Sequence, residues 1–554
     1  MLRLLFLICA ASLASLQAGT LSKHHFNRSE IFPGTQRDYW LYVPEQYDGS
    51  QPACLMVFQD GHAYVKSKGE NSVPQHFDKL ISAGEMPVTI GLFINPGVVP
   101  AAIEGGKPRK NRSFEYDSMT DRYARFLIDE MIPLLGSKHN LKVSSNPDDR
   151  AISGASSGAI CAFTVAWHRP DSFRRILSAI GTYTDLRGGG DYPTLIRKTN
   201  PKPLRIFLED GSNDLNNSFG NWFLANQTML SALQWAGYEV EHRWSEEGHN
   251  RNHSNKILPE SLRWLWKDHG KIPVTTHVAN SQSAAKDWLV DGSDWELVSE
   301  GHKFAEGMKA TPDGTLFFTD VHGNSLYQVS PDGTRTLLSD QTGKANGLAL
   351  SPDSKTLYLA SSEAKQIRSY HIETGTWDVV SEGTSSNDLV VSKHGHLYYT
   401  DPRSQKVWHV NLSTKERKPA DPQFIKPNGI GLSPDHSHLY VAHFSSENIY
   451  SYTIQTDGSL SDKQPYFHAQ LPVDMTEGRL DGMTSTITGE LLCGTQAGVQ
   501  IFDQQGRCQL IIPTPSKVGK RTNYVTFGGP EGKTLYVAVA DAIYKRETNL
   551  IGAR

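Results

Sequence analysis

Six segments in the C-terminal half of the chain align on one another, and this repeat restricts the fold more than any other feature. Each segment opens on a polar residue, continues as a short apolar strand and ends in a turn of the Pro-Asp-Gly type. The opening residues are Glu306, Asn346, Asn387, Asn428, Asp481 and Asn523, at intervals of 40 to 53 residues. Repeats of this length built from short strands are typical of propeller blades, each a four-stranded sheet. We therefore predict an all-β six-bladed propeller over residues 288–548.

The N-terminal half follows a different pattern, in which apolar runs of strand length alternate with amphipathic helical stretches. Predicted strands cover 54–58, 88–94, 150–153, 176–181, 205–209 and 240–244, and predicted helices cover 120–135, the stretch after Ser156, 224–237 and 258–268. This alternation predicts a parallel sheet with helices on both faces, in an α/β domain over residues 30–268. Residues 269–287 are polar and without a period, and they are predicted to be a linker.

The first 18 residues have the layout of a secretory signal peptide: Arg3, an apolar run over residues 4–13, and small residues at Ala14 and Ala18. We expect an exported chain, periplasmic or extracellular, without a membrane span after cleavage. Lys and Arg number 55 against 59 Asp and Glu, so the net charge of −4 provides no positive field for a nucleic-acid partner.

Four cysteines remain after the predicted signal peptide, which is too few for a disulfide framework in a chain of this length. Cys493 and Cys508 lie 15 residues apart in neighbouring predicted strands. They either form one bridge or remain buried free thiols.

A nucleophile motif occupies residues 154–158, Gly-Ala-Ser-Ser-Gly, between a predicted strand and a predicted helix. This strand-turn-helix context presents a serine at a helix N-terminus, which makes Ser156 the candidate nucleophile. A serine nucleophile needs a histidine base and a carboxylate that orients it. Two clusters that directly follow predicted strands offer these residues, and we favour His249 over His253 as the base and Asp214 over Asp210 as the acid.

An oxyanion hole needs backbone N–H donors near the nucleophile. The amide of Ser157 is one candidate, and an amide near Gly61 and His62 is the other.

The segments FQDGHAY, 111–133, GASSG and EGHN together resemble the esterase family that contains the enterochelin esterases and esterase D-like enzymes. The resemblance covers residues 30–268 and implies an α/β-hydrolase that cleaves carboxylic esters through Ser156, Asp214 and His249. Enterochelin esterases commonly carry Gly-Gly-His-Asp-Trp where this chain has Glu-Gly-His-Asn-Arg at 247–251. A siderophore-like substrate is therefore one expectation, and carbohydrate-linked acetyl or feruloyl esters fit equally well.

The polar residues that open the six repeats would surround the propeller axis with oxygen atoms, the ligands that hard cations such as Ca²⁺ prefer. The alternative is that Asn-Gly simply opens a turn in each blade. Asp320 and Asp401, at the ends of predicted strands, are either further ligands or turn formers.

The segments AEGM, SSND, KPNGIGLSPD, RLDGM and TNYVTFGGPEGKTLYV resemble the SMP-30, gluconolactonase and luciferin-regenerating-enzyme family of six-bladed propellers. The resemblance implies that Glu306, Asn428 and Asp481 bind a divalent metal, with Asn387 near the metal and the substrate. It also implies that Asp481 is a catalytic base toward a water on the metal, which polarises a lactone carbonyl. We expect Ca²⁺, with Zn²⁺ or Mn²⁺ as alternatives, because the ligand set lacks His and Cys.

These observations predict an exported two-domain hydrolase, a serine esterase joined to a metal-dependent lactonase, for small-molecule ester or lactone substrates of the carbohydrate-linked or siderophore kind. One alternative is a serine esterase whose propeller is not catalytic and binds carbohydrate or protein. The other is an inactive esterase joined to a working lactonase.

Overall fold

A computed structural model describes residues 18–65, 72–101, 106–276, 278, 281–471, 475–515 and 521–553. The predicted signal peptide lies outside the described residues except for Ala18. The chain divides into two compact units. The first comprises the described residues before Thr194 and those from Pro201 to 276, and the second comprises Thr194–Asn200 and those from Val278 onward.

The first unit is built on an eight-stranded mixed sheet with the order β1-β2-β4-β3-β5-β6-β7-β8. Its strands are β1 (Thr20–Phe26), β2 (Arg37–Val43), β3 (Cys54–Gln59), β4 (Thr89–Ile94), β5 (Arg150–Ala155), β6 (Arg175–Ala179), β7 (Arg205–Gly211) and β8 (Glu239–Ser245). The six strands from β3 to β8 are parallel, as predicted, and every residue of β3, β4 and β7 is buried. The strands β1 and β2 were not predicted; they add to the edge of the sheet in antiparallel orientation.

Helices cover the sheet in two groups, as expected for an α/β-hydrolase. The helices of the described residues are α1 (Val73–Ser82), α2 (Arg112–Tyr116), α3 (Arg122–Arg125), α4 (Ile132–His139), α5 (Ser157–His168), α6 (Tyr192–Lys198), α7 (Trp222–Trp235), α8 (Asn252–Lys256), α9 (Leu258–Trp266) and α10 (Ala285–Trp288). Of these, α10 belongs to the second unit, and α6 begins in the first unit and ends in the second. The apolar faces of α1 and α9 form one core with the sheet, and α5 packs with α2 and α3. The predicted helix 120–135 is α3 and α4 joined by a π-helical turn, Phe126–Met131.

The second unit is a six-bladed β-propeller, as predicted. Its strands are β9 (Glu296–Glu300), β10 (Ala305–Ala310), β11 (Leu316–Asp320), β12 (Ser325–Val329), β13 (Arg335–Ser339), β14 (Ala345–Leu350), β15 (Thr356–Ser361), β16 (Gln366–His371), β17 (Trp377–Glu382), β18 (Leu389–Val391), β19 (His396–Asp401), β20 (Lys406–Asn411), β21 (Arg417–Asp421), β22 (Pro427–Leu432), β23 (His438–His443), β24 (Asn448–Ile454), β25 (Leu460–His468), β26 (Met483–Ser485), β27 (Leu491–Thr495), β28 (Gly498–Phe502), β29 (Cys508–Ile512), β30 (Thr522–Gly528), β31 (Thr534–Val539) and β32 (Ala542–Glu547).

Five blades consist of four consecutive strands, beginning with β10, β14, β18, β22 and β26. The sixth blade joins β30, β31 and β32 to β9, so the first strand of the unit pairs with the last one and closes the ring. Four of the six repeat openings lie in the innermost strands, and Asn387 and Asp481 precede theirs by two residues.

All four cysteines among the described residues are buried free thiols. Of the two alternatives for Cys493 and Cys508, the structure therefore has the thiols and not the bridge. No helix in the described part of the chain has the length and hydropathy needed to cross a membrane.

Candidate active sites

Ser156 lies on a sharp turn between β5 and α5. Its backbone has φ 59° and ψ −123°, a conformation that costs energy for a residue with a side chain. The turn is tight enough that Gly154 contacts the backbone of Gly158. A Cβ on Gly154 would lie 2.1 Å from the Gly158 carbonyl oxygen. The glycine is therefore required at 154, and the strained turn presents Ser156 at the start of α5.

The residues predicted to form a catalytic triad are hydrogen-bonded to one another. His249 Nε2 lies 2.9 Å from Ser156 Oγ, and His249 Nδ1 lies 2.6 Å from Asp214 Oδ1. The two bonds use opposite nitrogens of the imidazole. When the imidazole takes the serine proton, the Asp214 carboxylate stabilises the positive charge that results. Asp214 and His249 reach this position from the loops that follow β7 and β8, at the same edge of the sheet as Ser156.

Asp210, the alternative acid, supports Asp214 and does not touch the histidine. It is fully buried at the end of β7, where Asn226 donates to its Oδ2 at 2.7 Å. Burial and the neighbouring Asp214 carboxylate raise the pKa of Asp210 to about 9. Burial acts to raise the pKa of Asp214 as well, but hydrogen bonds from His249 and Asp210 outweigh it and hold that pKa below the ordinary value. Burial beside the Asp214 carboxylate therefore favours the neutral form of Asp210, whereas His249 favours the ionised form of Asp214.

The alternative base, His253, pairs with a different carboxyl group. Its Nδ1 lies 2.9 Å from Glu209 Oε1. Burial, with the negative charges of Asp214 and Glu247, raises the pKa of Glu209 to about 8. His253 and Glu209 form a supporting pair beside the triad.

The predicted oxyanion donor at Ser157 is available, and of the second predicted pair, Gly61 and His62, the His62 amide is engaged. Ser157 is the first residue of α5, where the N–H has no acceptor within the helix. The N–H of His62 donates to Asn95 Oδ1 at 3.0 Å, and the His62 ring Nδ1 lies 2.8 Å from the same oxygen. The prediction placed no role on Thr182, whose hydroxyl lies 3.3 Å from Ser156 Oγ and accepts from the Trp222 indole.

The three predicted metal ligands of the propeller, Glu306, Asn428 and Asp481, are all buried. Glu306 Oε2 and Asn387 Oδ1 are buried without a hydrogen-bond partner. Asn428 donates to the Leu480 carbonyl at 3.3 Å, which holds it beside Asp481. Burial and the Asp481 charge raise the pKa of Glu306 well above its ordinary value, and burial raises the pKa of Asp481 to about 6.

Two charged residues of this channel were missed from the sequence. Arg521 donates to Asp481 Oδ2 at 2.9 Å. Asp388 is buried one residue after Asn387 and accepts from the Leu389 and Ile430 amides at 2.8 and 3.3 Å. Burial raises the pKa of Asp388 to about 7. The only signal for Asp388 was its position next to a repeat opening, and none pointed to Arg521.

Asp320 and Asp401 are turn formers. Asp320 accepts from the Lys303, Phe304 and Gly323 amides, and Asp401 accepts from the Arg403 and Ser404 amides, at 2.9–3.1 Å.

Comparison with known proteins assigns a family to each unit. Residues 29–295 match the family described as Putative esterase, and residues 305–382 and 378–541 match the SMP-30/Gluconolactonase/LRE-like region. The chain joins an esterase-family unit to an SMP-30/gluconolactonase-like unit. Esterase and lactonase relatives indicate a hydrolase that acts on ester or lactone bonds.

Curated relatives exist for each half. The gluconolactonase of Zymomonas mobilis is 25% identical over 300 residues, covering 46% of this chain and 82% of that protein. The iron(III) enterobactin esterase of Dickeya dadantii is 26% identical over 247 residues, covering 42% of this chain and 52% of that protein, so the match spans about half of the esterase. A solved gluconolactonase from Xanthomonas campestris is 22% identical, covering 48% of this chain and 93% of that chain, with a TM-score of 0.43.

The SMP-30/gluconolactonase-like unit has a donor set that fits a divalent cation. Two buried oxygens without partners, on Glu306 and Asn387, carry a desolvation cost that a cation would remove. Glu306 and Asp481 are carboxyl groups whose pKa values are raised chiefly by burial even with Arg521 nearby, so a bound cation would favour their ionised forms. All ligands are oxygen atoms, which suits a hard cation.

Proposed function

We propose that this chain is an exported, two-site hydrolase in which the esterase-family unit cleaves carboxylic esters and the SMP-30/gluconolactonase-like unit hydrolyses lactones with a divalent metal. The observation that carries the esterase half is the assembled relay of Asp214, His249 and Ser156. The lactonase half rests on the family match and on the oxygen-rich channel that contains Glu306, Asn428 and Asp481.

In the esterase site, Ser156 Oγ attacks the acyl carbon while His249 Nε2 takes its proton. Asp214 holds the imidazole through Nδ1 and stabilises the positive charge that develops there. The Ser157 N–H lies at the helix start, where it can donate to the oxygen of the tetrahedral intermediate. His249 then protonates the leaving alcohol, and a water, deprotonated by the same histidine, releases the acid from Ser156.

The surroundings of Ser157 favour a polar or negatively charged substrate. Asp117 interacts with Ser157 and with the guanidinium groups of Arg112 and Arg187. Arg112 pairs with Asp60 at 2.8 Å and keeps 38% of its side chain exposed. The N–H donors of these arginines support esters whose acyl or alcohol part bears hydroxyl groups, as in carbohydrate-derived and siderophore-like compounds.

In the propeller, Glu306, Asn428 and Asp481 would hold the cation, with Asn387 beside it. The cation supplies Lewis acidity toward the lactone carbonyl. We expect Ca²⁺, because all the donors are oxygens. Asp481 accepts a proton from the attacking water, and Arg521, which already binds Asp481, keeps that carboxylate oriented.

The test is to assay p-nitrophenyl acetate and glucono-1,5-lactone with the full chain, Ser156→Ala and Asp481→Asn, each with and without EDTA. We expect Ser156→Ala to lose ester turnover only, and Asp481→Asn and EDTA to abolish lactone turnover only. Ser137→Ala and Asp378→Asn, at exposed positions of the two units, are matched controls.

The Arg521 contact also favours a second candidate for the propeller, binding without catalysis, because the expected base is held in an ion pair. Absence of lactone turnover by the intact chain supplied with Ca²⁺, Zn²⁺ or Mn²⁺ would support this second candidate. Ester turnover that survives Ser156→Ala would refute the esterase half.

A further inference from the structure

Three side chains with metal-ligating atoms converge in the first unit, at the edge of the sheet opposite to the triad. Cys54 is the first residue of β3, Asp149 directly precedes the neighbouring strand β5, and His269 follows α9 by three residues. Cys54 Sγ lies 3.4 Å from His269 Nε2, and that nitrogen lies 2.7 Å from Asp149 Oδ1. Among the described residues, no other group of three His, Cys, Asp or Glu side chains brings its ligand atoms within 4.8 Å of one another.

The geometry is not that of a cysteine nucleophile with its base. In a catalytic relay the imidazole uses one nitrogen for the nucleophile and the other for the carboxylate, as His249 does in the ester site. Here both Cys54 and Asp149 face the same nitrogen, Nε2. The imidazole therefore cannot relay a proton between the two partners through opposite nitrogens, whereas an ion at the centre of the three atoms would bind all of them.

We propose that Cys54, Asp149 and His269 bind a divalent transition-metal ion, with Zn²⁺ the best fit to a thiolate, an imidazole and a carboxylate. Around tetrahedral zinc, ligand atoms lie about 3.3–3.6 Å apart. The sulfur–nitrogen distance already has this value, and the nitrogen–oxygen contact has to open by about 0.6 Å. The proposal is independent of the esterase and lactonase functions.

The surroundings of the trio support a built site. Ser144 Oγ donates to the second oxygen of Asp149 at 2.6 Å, which orients the carboxylate in the way that second-shell partners orient metal ligands. Cys54 is buried, while the side chains of Asp149 and His269 are each 22% exposed, so an ion can enter from solvent and keep a water as its fourth ligand. The Arg175 guanidinium is anchored nearby on the Asp148 and Leu265 carbonyls and offsets part of the negative charge.

The position of the site indicates a stabilising role. Asp149 precedes β5 and Ser156 follows it, so the six residues of this strand separate the ion from the triad by about 20 Å. The ion would therefore not reach the reacting ester. His269 belongs to the segment that leaves α9. An ion would therefore fasten that segment to the starts of two central strands.

The test uses Co²⁺ as a probe on the full chain after removal of bound metal with a chelator. A thiolate ligand gives Co²⁺ an intense near-ultraviolet charge-transfer band, which the all-oxygen donor set of the propeller cannot produce. We expect one equivalent of Co²⁺ to produce this band and one equivalent of Zn²⁺ to abolish it. Cys54→Ser should lose the band, His269→Gln should bind at least tenfold more weakly, and Cys508→Ser, another buried thiol, should match the unaltered chain.

No thiolate band in the unaltered chain, or a band that survives in Cys54→Ser, overturns the proposal. If Cys54→Ser does not fold, the decision falls to His269→Gln and Asp149→Asn, whose altered side chains are partly exposed. Unchanged Co²⁺ affinity in both of these variants overturns it equally. Weakened binding in both, with the band retained at saturation, supports it.

Discussion

Asp210 and Asp214 lie four residues apart, and their surroundings shift their pKa values in opposite directions. Asp214 accepts from His249, so Asp214→Asn should reduce kcat of ester hydrolysis about ten thousand-fold, because the amide favours the wrong imidazole tautomer. Asp210→Asn should keep turnover within about tenfold, since Asp210 does not contact His249 and an amide is neutral like the favoured form of this acid. Steady-state kinetics on p-nitrophenyl acetate measures both. If Asp210→Asn proves the more damaging variant, the assignment of the two acids is reversed.

The raised pKa of Asp210 also predicts how stability depends on pH. The native state holds this proton up to about pH 9, whereas the unfolded chain releases it near pH 4. Between these values the unfolded state binds fewer protons, so this group lowers the free energy of unfolding as pH rises. Asp210→Asn should therefore gain stability relative to the unaltered chain on going from pH 5 to pH 8, by on the order of 4 kcal/mol.

Urea unfolding of the first unit at the two pH values measures this change. Asp129→Asn, an exposed acid of the same unit, serves as the control and should show no such gain. A stability difference for Asp210→Asn that does not change with pH would mean that Asp210 is ionised in the native state.

The strand-turn-helix element around Ser156 depends on one glycine more than on the other. A Cβ at Gly154 would lie 2.1 Å from the Gly158 carbonyl oxygen, whereas a Cβ at Gly158 would lie 3.2 Å from the Gln59 Cβ. Gly154→Ala should therefore destabilise the unit by about 3 kcal/mol and reduce ester turnover at least about a hundredfold. Gly158→Ala should cost about 1 kcal/mol. Thermal unfolding and ester kinetics distinguish them, and equal effects would contradict this account of the turn.

Elements with strong local signals were predictable from the sequence. The buried parallel strands, the six blades and the turn at Ser156 all follow from apolar periodicity or from a repeated motif. The edge strand β1 was not predicted because five of its seven residues are polar and most of them are exposed. The closing strand β9 was missed for a related reason: its blade partner lies more than 240 residues later in the chain.

The same limit applies to the candidate sites. Ser156, Asp214 and His249 each follow a predicted strand. Since parallel strands end at the same edge of a sheet, their proximity could be predicted from the sequence. Arg521 meets Asp481 and Asp388 meets Ile430 only through contacts between consecutive blades, and no local pattern marks either residue. The engagement of the His62 amide by Asn95 likewise depends on a tertiary contact.

Ring closure by β9 is a property of the whole propeller. It can be tested by substitutions on the two faces of β9, one packed and one exposed. Val298 packs against the core that contains Ala305 and Ile543, whereas the adjacent Leu297 is 50% exposed. Val298→Asp should lower the stability of the second unit by about 1–3 kcal/mol, and Leu297→Asp by less than about 0.5 kcal/mol. Ester turnover should be unchanged in both, because the two units have separate cores. Equal unfolding midpoints for the two variants would mean that β9 does not close the ring.

A cation in the channel should stabilise the propeller as a whole, because its donors come from four different blades. Glu306, Asn387, Asn428 and Asp481 open the first, third, fourth and fifth blades, so an ion that binds them joins blades that are far apart in the chain. Ca²⁺ at a hundred times its Kd should add about 2.7 kcal/mol to the unfolding free energy of this unit.

Differential scanning calorimetry with and without Ca²⁺ measures this effect, and Glu306→Gln tests its origin. The variant keeps the size of the side chain but removes the charge that attracts the ion, so its unfolding temperature should no longer respond to Ca²⁺. Glu531→Gln, at a glutamate whose side chain is 74% exposed in the same unit, should respond as the unaltered chain does. The transition of the first unit should not move, since a hard cation has little affinity for the thiolate and imidazole of Cys54 and His269. A Ca²⁺ response that persists in Glu306→Gln would place the ion elsewhere.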